Sequence, residues 1–103
     1  MCARGRLDDP IAIMYLKRFI AEHTKVENAP VSVAPSGKSI AVIGSGPAGL
    51  SAAYYLSKFG HEVKVFESSP VAGGIMRTEI PDYRLPKEIV ESEINYITNL
   101  GVE

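Results

Sequence analysis

Short apolar runs and amphipathic stretches alternate along residues 39–103, and this pattern predicts strands and helices in alternation. Residues 39–44, SIAVIG, form a β-branched run that ends in glycine, which is typical of a strand in a parallel sheet. Residues 47–59 are rich in Ala and Leu and precede Gly60, as expected of a helix and its C-terminal cap. Residues 61–67, HEVKVFE, alternate and indicate a second strand. Because so short a connection through a helix joins parallel neighbours, the sequence predicts a right-handed βαβ unit.

An amphipathic segment precedes this unit and predicts a leading helix. The stretch IAIMYLKRFIAEHT, residues 11–24, carries apolar residues at helical spacing. Asp9 suits the N-cap of this helix and Pro10 its first position, where the missing N–H costs nothing. Residues 25–38 follow with two prolines and no helical period, so we expect an extended linker there. The apolar face of the helix consists of Ile13, Leu16 and Ile20.

A third helix is predicted after a loop rich in glycine and proline. The stretch PKEIVESEINYITNLG, residues 86–101, begins at a proline and ends at a glycine, as helices commonly do. Its apolar residues Val90, Ile94 and Ile97 share one face. Residues 101–103 then resemble the beginning of a connection to another strand. The predicted fold class is therefore α/β, a partial Rossmann-like domain with a βαβ unit and a following helix, preceded by a helix and an extended linker.

Composition and charge narrow the classes of partner. With 103 residues, of which 46% are hydrophobic, the chain is one small globular domain or a piece of a larger one. Its net charge of −1 provides no basic stripe for a phosphate backbone, so no nucleic-acid partner is expected. Lys17 and Arg18 interrupt the apolar residues of the leading helix, so no membrane span is expected either. Cys2 is the only cysteine, which excludes an intrachain disulfide and favours a reducing, cytoplasmic setting.

Three glycines at the spacing G-x-G-x-x-G join the first strand to its helix. Gly44 allows a sharp turn out of the strand, Gly46 lets a pyrophosphate reach the backbone, and Gly49 lets helix and strand pack closely. A phosphate would meet free N–H groups and the positive end of the helix dipole there. Glu67 ends the second strand and suits the ribose hydroxyls of an adenosine, while its charge would repel the 2′-phosphate of NADP. We therefore expect FAD or NAD at this site.

Further motifs narrow the choice between FAD and NAD. Together with AVIGSGPAGLSAAYYLSKFGHEVKVFE, the stretches VAGGIM and IPDYRLPKEIV resemble the FAD-binding segment of the small subunit of NADPH-dependent glutamate synthase and the related part of dihydropyrimidine dehydrogenase. The glycine spacing is shared by all flavoproteins with two dinucleotide-binding domains, whereas IPDYRLP is much more specific. The stretch CARGRLDDPIAIMYLKRFIAEH also resembles this family, in the segment after its iron–sulfur cysteines. The resemblance thus covers nearly the whole chain.

The resemblance implies that several short segments bind FAD. Residues 45–49 would contact the pyrophosphate and Glu67 the adenosine ribose, as the residues themselves also indicate. Residues 73–75 would line the ribityl and flavin end of the cofactor. The predicted cofactor-binding residues are Gly44, Ser45, Gly46, Pro47, Ala48, Gly49, Glu67, Ser68, Gly73, Gly74, Ile75 and Arg84.

Arg84 lies in the run YRLP, and the resemblance implies that it makes a further polar contact to FAD. From its chemistry alone it is a positive charge that suits a dianionic pyrophosphate. An exposed ion pair with Asp82 or Glu88 is the alternative role for this side chain. No catalytic acid, base or nucleophile is predicted, because the cofactor carries the reaction in flavin chemistry.

The resemblance also implies a larger enzyme. Residues 1–24 would be the helical tail of an iron–sulfur domain, residues 25–38 a linker, and residues 39–103 the N-terminal part of the FAD-binding domain. NAD(P)H and [4Fe–4S] clusters would belong to the full-length parent only, with Cys2 a remnant of the cluster-binding region, since one thiolate cannot hold a cluster. The partners would be FAD and the rest of the parent chain or a large catalytic subunit. The isolated chain is expected to be inactive and either to self-associate or to adopt a rearranged packing.

Two other classes of function remain open at this point. An NAD-binding dehydrogenase fragment would bind NADH and carry no flavin. A non-catalytic interaction module, in which the glycine turn is only structural, would bind neither nucleotide.

Overall fold

The fold is α/β and contains two parallel strands with helices packed on one face, which confirms the predicted class and the βαβ unit. The computed structural model describes residues 2–24 and 33–103. Most of the predicted linker, at residues 25–32, lies outside the described residues, and residues 33–38 form neither a helix nor a strand. The elements are a 3-10 helix Ala3–Arg6, α1 Ile13–His23, β1 Ser39–Ile43, α2 Pro47–Lys58, β2 Glu62–Phe66, α3 Ile75–Thr78 and α4 Lys87–Thr98.

Helix α2 covers the sheet through small and β-branched side chains. Strands β1 and β2 pair in register, with Val42 opposite Val65. Ala53 of α2 is fully buried against Val63 of β2, and Val102 closes this cluster. An alanine at the contact lets the helix approach the strand closely, so α2 is held parallel to the sheet with its N-terminus at the carboxyl ends of the strands.

Helix α4 packs beside α2 through the apolar face that its sequence predicts. Val90 and Ile94 are buried against Leu50 of α2. Ile97 is half-buried and contacts both this cluster and the one under α2. The two clusters are therefore joined, and α4 supports the loop that leads from β2.

A glycine cap ends α2 and aims the chain into β2, as predicted. Gly60 has a φ of +81°, its N–H donates to the Ser57 carbonyl at 2.9 Å, and the His61 N–H donates to the Leu56 carbonyl at 3.2 Å. These are the two hydrogen bonds of a Schellman motif, which requires a left-handed residue at this position. Glu62 therefore enters the sheet beside β1.

The last residue pairs with the edge of β2 that faces away from β1. The Glu103 N–H donates to the Val63 carbonyl at 3.0 Å, and the Val65 N–H donates to the Glu103 carbonyl at 2.6 Å. Glu62 and Phe66 direct their backbone groups to the β1 side instead, since successive residues of a strand alternate. Glu103 therefore takes the position of a third parallel strand residue, in agreement with the predicted connection.

The predicted start of the leading helix is wrong. Helix α1 begins at Ile13, and its N-cap position is Ala12, which makes no capping hydrogen bond through its side chain. The preceding 3-10 helix ends in a turn. An ion pair between Arg4 and Asp8 spans this turn, with Arg4 Nε 2.8 Å from Asp8 Oδ1. The chain bends at Asp9 after this turn and residues 10–12 are not helical, so Asp9 and Pro10 do not open the helix.

None of the α1 side chains is buried, although the helix is amphipathic as predicted. The strand residues that alternate away from α2 are also exposed, among them Ile43 and Phe66. In the part of the chain that the structure describes, no helix combines the length and apolar character needed to cross a membrane.

Replacing Gly49 by alanine should destabilise the fold. A Cβ at this position would lie 1.9 Å from the Gly44 carbonyl oxygen, which is backbone and cannot rotate away. We expect Gly49→Ala to lower the free energy of unfolding by about 1–3 kcal/mol, a cost typical of overpacking. Thermal unfolding followed by far-UV circular dichroism measures this effect.

The matched control is Gly46→Ala, since a Cβ at Gly46 has no atom within 4 Å and the backbone φ is −70°. This variant should lower the melting temperature less than Gly49→Ala, by no more than the weaker N-cap preference of alanine. Equal melting temperatures for Gly49→Ala and Gly46→Ala would contradict the assigned role of Gly49.

Candidate functional site

The first glycine of the loop sets the direction of the chain between β1 and α2. Gly44 has a φ of +92°, a conformation that residues with a Cβ rarely adopt. Its N–H donates to the Phe66 carbonyl at 2.8 Å, so the turn starts while the chain is still held by β2. Gly44 is thus needed for the sharp turn that its position in the sequence predicts.

Gly46 has no structural reason to be glycine. It occupies the N-cap of α2 with φ −70° and ψ 179°, which any residue adopts. A Cβ placed there would meet no atom of the described chain within 4 Å. The absence of a side chain leaves space at the N-terminus of the helix, on the side where a ligand can approach the backbone.

Backbone donors converge on this space. The N–H groups of Gly46, Ala48 and Gly49 have no acceptor among the described residues, while Pro47 contributes no N–H. The first helical hydrogen bond here runs from the Leu50 N–H to the Gly46 carbonyl at 2.9 Å. Three free donors at the positive end of a 12-residue helix are able to bind an anion such as a phosphate.

Glu67 lies beside this loop and accepts hydrogen bonds on both carboxylate oxygens. Oε2 accepts from the Ser45 N–H at 2.9 Å and from Ser45 Oγ at 2.5 Å. Oε1 accepts from the Ser69 N–H at 2.8 Å and from Ser68 Oγ at 3.3 Å. The Ser45 hydroxyl, followed by the Ser69 and Ser45 N–H groups, lowers the pKa of Glu67 to about 2. The carboxylate is therefore ionised at neutral pH.

The second glycine pair packs against the first loop. The Gly73 N–H donates to the Ser45 carbonyl at 3.1 Å and to Ser45 Oγ at 3.2 Å. Gly74 has a φ of +53°, and a Cβ there would lie 3.0 Å from the Gly46 Cα. Gly73 has a φ of +117°, so both positions adopt a conformation that favours glycine, a reason that the sequence pattern alone does not reveal.

Two residues that contribute to the site could not be identified from the sequence. Ser69 acts through its backbone N–H, which any residue other than proline supplies. Arg77 of α3 pairs with Glu91 of α4 and so fixes the segment after the second glycine pair. A basic residue near an acidic one in the next helix is too common a pattern to predict such a link.

Ile75 and Arg84 follow the second glycine pair in the sequence. Ile75 begins α3 directly after Gly74, and its side chain is exposed. Arg84 lies in the turn before α4, where its N–H donates to the Pro81 carbonyl at 2.9 Å. Asp82, one of its two possible ion-pair partners, pairs instead with Lys87, with Nζ and Oδ1 at 3.4 Å.

Cys2 lies apart from this loop in the sequence and is half-buried before the 3-10 helix. Backbone N–H groups, first that of Ile11 and then that of Arg4, lower the pKa of its thiol. Within residues 2–24 and 33–103, no three His, Cys, Asp or Glu side chains are grouped so that they could hold a metal ion. The described residues thus provide no complete ligand set for a cluster.

The chain is similar to segments of several NAD(P)-dependent oxidoreductases. It is 43% identical to the NADP(+)-dependent formate dehydrogenase subunit beta of Moorella thermoacetica, over 98% of this chain and 18% of that protein. It is 38% identical to the NAD-dependent dihydropyrimidine dehydrogenase subunit PreT of Salmonella typhimurium, over 98% of this chain and 25% of that protein. It is 35% identical to the NADH glutamate synthase of Schizosaccharomyces pombe, over 99% of this chain and 5% of that protein.

These matches confirm the predicted resemblance to glutamate synthase and dihydropyrimidine dehydrogenase. The chain spans a quarter or less of the length of each of these three relatives. Residues 42–101, which contain the glycine loop, Glu67 and the second glycine pair, match the family described as NAD(P)-binding Rossmann-like domain. The chain therefore belongs to the NAD(P)-binding Rossmann-like domain family.

Proposed function

We propose that residues 39–103 bind the ADP half of FAD in an NAD(P)H-dependent oxidoreductase of the glutamate synthase type. In that enzyme, electrons would pass from NAD(P)H through the flavin to iron–sulfur clusters. Nucleotide-dependent relatives that match nearly the whole chain support this proposal. Because the chain spans only part of each relative, the nicotinamide site, the clusters and a large catalytic partner would lie in other polypeptide segments.

The position of Gly46 is the observation that carries this proposal. Its glycine is required neither by the backbone nor by packing, and three N–H groups without acceptors among the described residues surround it. If these N–H groups were bonded only to water, a side chain at position 46 would be tolerated. A pyrophosphate bound at the helix N-terminus would not leave room for that side chain. The free space and the donors therefore fit the diphosphate that FAD and NAD share.

Glu67 supplies the second contact that an ADP group needs. It is ionised, follows β2, and is hydrogen-bonded to the same loop that holds the phosphate donors. An ionised carboxylate accepts hydrogen bonds from ribose hydroxyls and repels an additional 2′-phosphate. Residues 73–75 would then lie toward the ribityl end of FAD, with Arg84 as a further polar contact. The flavin, when bound, would exchange electrons with the nicotinamide.

The remaining assignments belong to the longer enzyme. Residues 1–24 would be the helical tail of an iron–sulfur domain, joined by the linker at residues 25–38. Cys2 is the only cysteine of the sequence, so this chain by itself does not fit a [4Fe–4S] cluster. A reducing, cytoplasmic location and an inactive isolated chain complete the proposal.

Direct NAD binding is the second candidate, and the description of the matching family favours it. NAD would make the same diphosphate and ribose contacts as FAD. The two cofactors differ in the group beyond the diphosphate, which is a nicotinamide in NAD and a flavin in FAD. Flavin absorbance of the purified protein, together with titration by NADH, separates the two. Bound flavin supports the first, whereas NADH binding without flavin supports the second.

Replacing Gly46 by valine tests the phosphate contact. Two methyl groups would occupy the space in front of the free N–H groups, and the Cβ that carries them would have no atom of the fold within 4 Å. We expect Gly46→Val to weaken FAD binding by at least about tenfold, the loss of one charged hydrogen bond or more, with an unchanged far-UV circular dichroism spectrum.

Ser51→Val is the matched control, since Ser51 is an exposed residue of the same helix and acquires the same side chain. It should keep the flavin. Equal FAD affinity in the parent and in Gly46→Val would overturn the proposed function, as would a purified protein that binds neither FAD nor NADH.

The lowered pKa of Glu67 predicts a defined pH dependence of stability. A carboxylate whose pKa falls from 4.5 to about 2 on folding stabilises the folded state fully above pH 4.5. This contribution is lost as the pH falls from 4.5 towards 2, because the proton then binds the unfolded state first. Urea unfolding of the cofactor-free parent and of Glu67→Gln should therefore show a stability difference that is constant above about pH 5 and narrows below it. A difference that does not change with pH would contradict the role of the ionised carboxylate.

A further inference from the structure

Ser45 is a buried residue of the first glycine loop, and it is hydrogen-bonded both to Glu67 and to the second glycine pair. Only 2% of its surface is exposed, so its side chain has no open path to a ligand. Its N–H and its hydroxyl both donate to Glu67, and its carbonyl and hydroxyl oxygens both accept from the Gly73 N–H. All of its polar groups are therefore used within the protein, which distinguishes Ser45 from the donors at Gly46, Ala48 and Gly49.

The two carboxylate oxygens of Glu67 have different surroundings. Oε2 receives both of its hydrogen bonds from buried Ser45, which occupy the two lone pairs of that oxygen. Oε1 receives its hydrogen bonds from Ser68 and Ser69, which are exposed. A ligand that arrives from solvent therefore meets Oε1, whereas Oε2 is an internal anchor.

The hydrogen bonds to Oε1 differ in length, and the longer one can be exchanged. Ser69 N–H is held at 2.8 Å by the backbone, while the Ser68 hydroxyl lies at 3.3 Å on a rotatable and exposed side chain. A ribose hydroxyl can take the place of the Ser68 hydroxyl without disturbing any other bond to Glu67. Oε1 then has one acceptor position available to the ligand.

We propose that Ser45 is a positioning residue for ribose recognition, whose buried hydroxyl and N–H hold Oε2 of Glu67 so that Oε1 faces the ligand. This inference rests on the proposed function, since it concerns the ribose of the same ADP group. The Gly73 N–H fixes the direction of the Ser45 hydroxyl, because an oxygen that accepts from Gly73 donates its single hydrogen to Glu67. The position of the Glu67 carboxylate therefore depends, through Ser45, on the position of the second glycine pair.

Ser45→Ala removes the hydroxyl from both partners and leaves the backbone bonds in place. In the cofactor-free protein, we expect the pKa of the Glu67 carboxyl, measured by carbon-13 NMR, to rise by about one unit. We also expect a weaker preference for ADP over 2′-deoxy-ADP in calorimetric titrations, with the ratio of their dissociation constants reduced about threefold to tenfold. Ser45→Thr keeps the hydroxyl and should restore the parent ratio.

Ser51→Ala is the matched control, because it removes an exposed serine hydroxyl of α2 that does not bond Glu67, and it should keep the preference for ADP. The inference is overturned if the parent prefers ADP and folded Ser45→Ala, checked by circular dichroism, retains both that preference and the parental pKa of Glu67. A parent that binds ADP and 2′-deoxy-ADP equally would also overturn it, while leaving the phosphate contact intact. A parent that binds neither would overturn the proposed function itself.

Discussion

The site depends on the close approach of Gly49 to the carbonyl of Gly44. A single Cβ would lie 1.9 Å from that oxygen, so α2 can pack over the end of β1 only because this side chain is absent. The approach places the free N–H groups of α2 at the carboxyl edge of the sheet, where β2 also ends. The phosphate donors and Glu67 therefore lie at the same edge, as parallel topology requires of a nucleotide site.

Glycines of the same motif serve different physical needs. Gly44 provides a left-handed turn and Gly49 a close contact, both of which the fold would require without any ligand. Gly46 has neither need, and a Cβ there would meet no atom within 4 Å, which leaves the space at the N-terminus of α2 free. Gly73 and Gly74 belong to the structural class, since both have a positive φ and a Cβ at Gly74 would also lie 3.0 Å from the Gly46 Cα. Of these five glycines, Gly46 alone has neither a positive φ nor a close contact at its Cβ position.

The sequence predicted the helices, strands and parallel order because each depends on local periodicity and on short connections. It also predicted the glycine loop and Glu67, whose spacing is set by the βαβ unit. The partners of Ser45 could not be predicted, since they lie 22 and 28 positions away and are determined by how the loops fold together. The start of α1 was also not predicted, because residues 9–12 connect the turn at Arg4–Asp8 to the helix and Asp9 and Pro10 lie in this connection. Helix α3 has four residues, too few for a helical period to be visible.

The central claim is that a diphosphate binds the free N–H groups of α2. Titration of the nitrogen-15-labelled protein with ADP, followed by NMR, tests it directly. The account predicts that the largest amide shifts fall on Gly46, Ala48 and Gly49, whose N–H groups have no other acceptor among the described residues. The amide of Ser45, which already donates to Glu67, should shift less. Largest shifts outside this loop, or none at saturating ADP, would contradict the account.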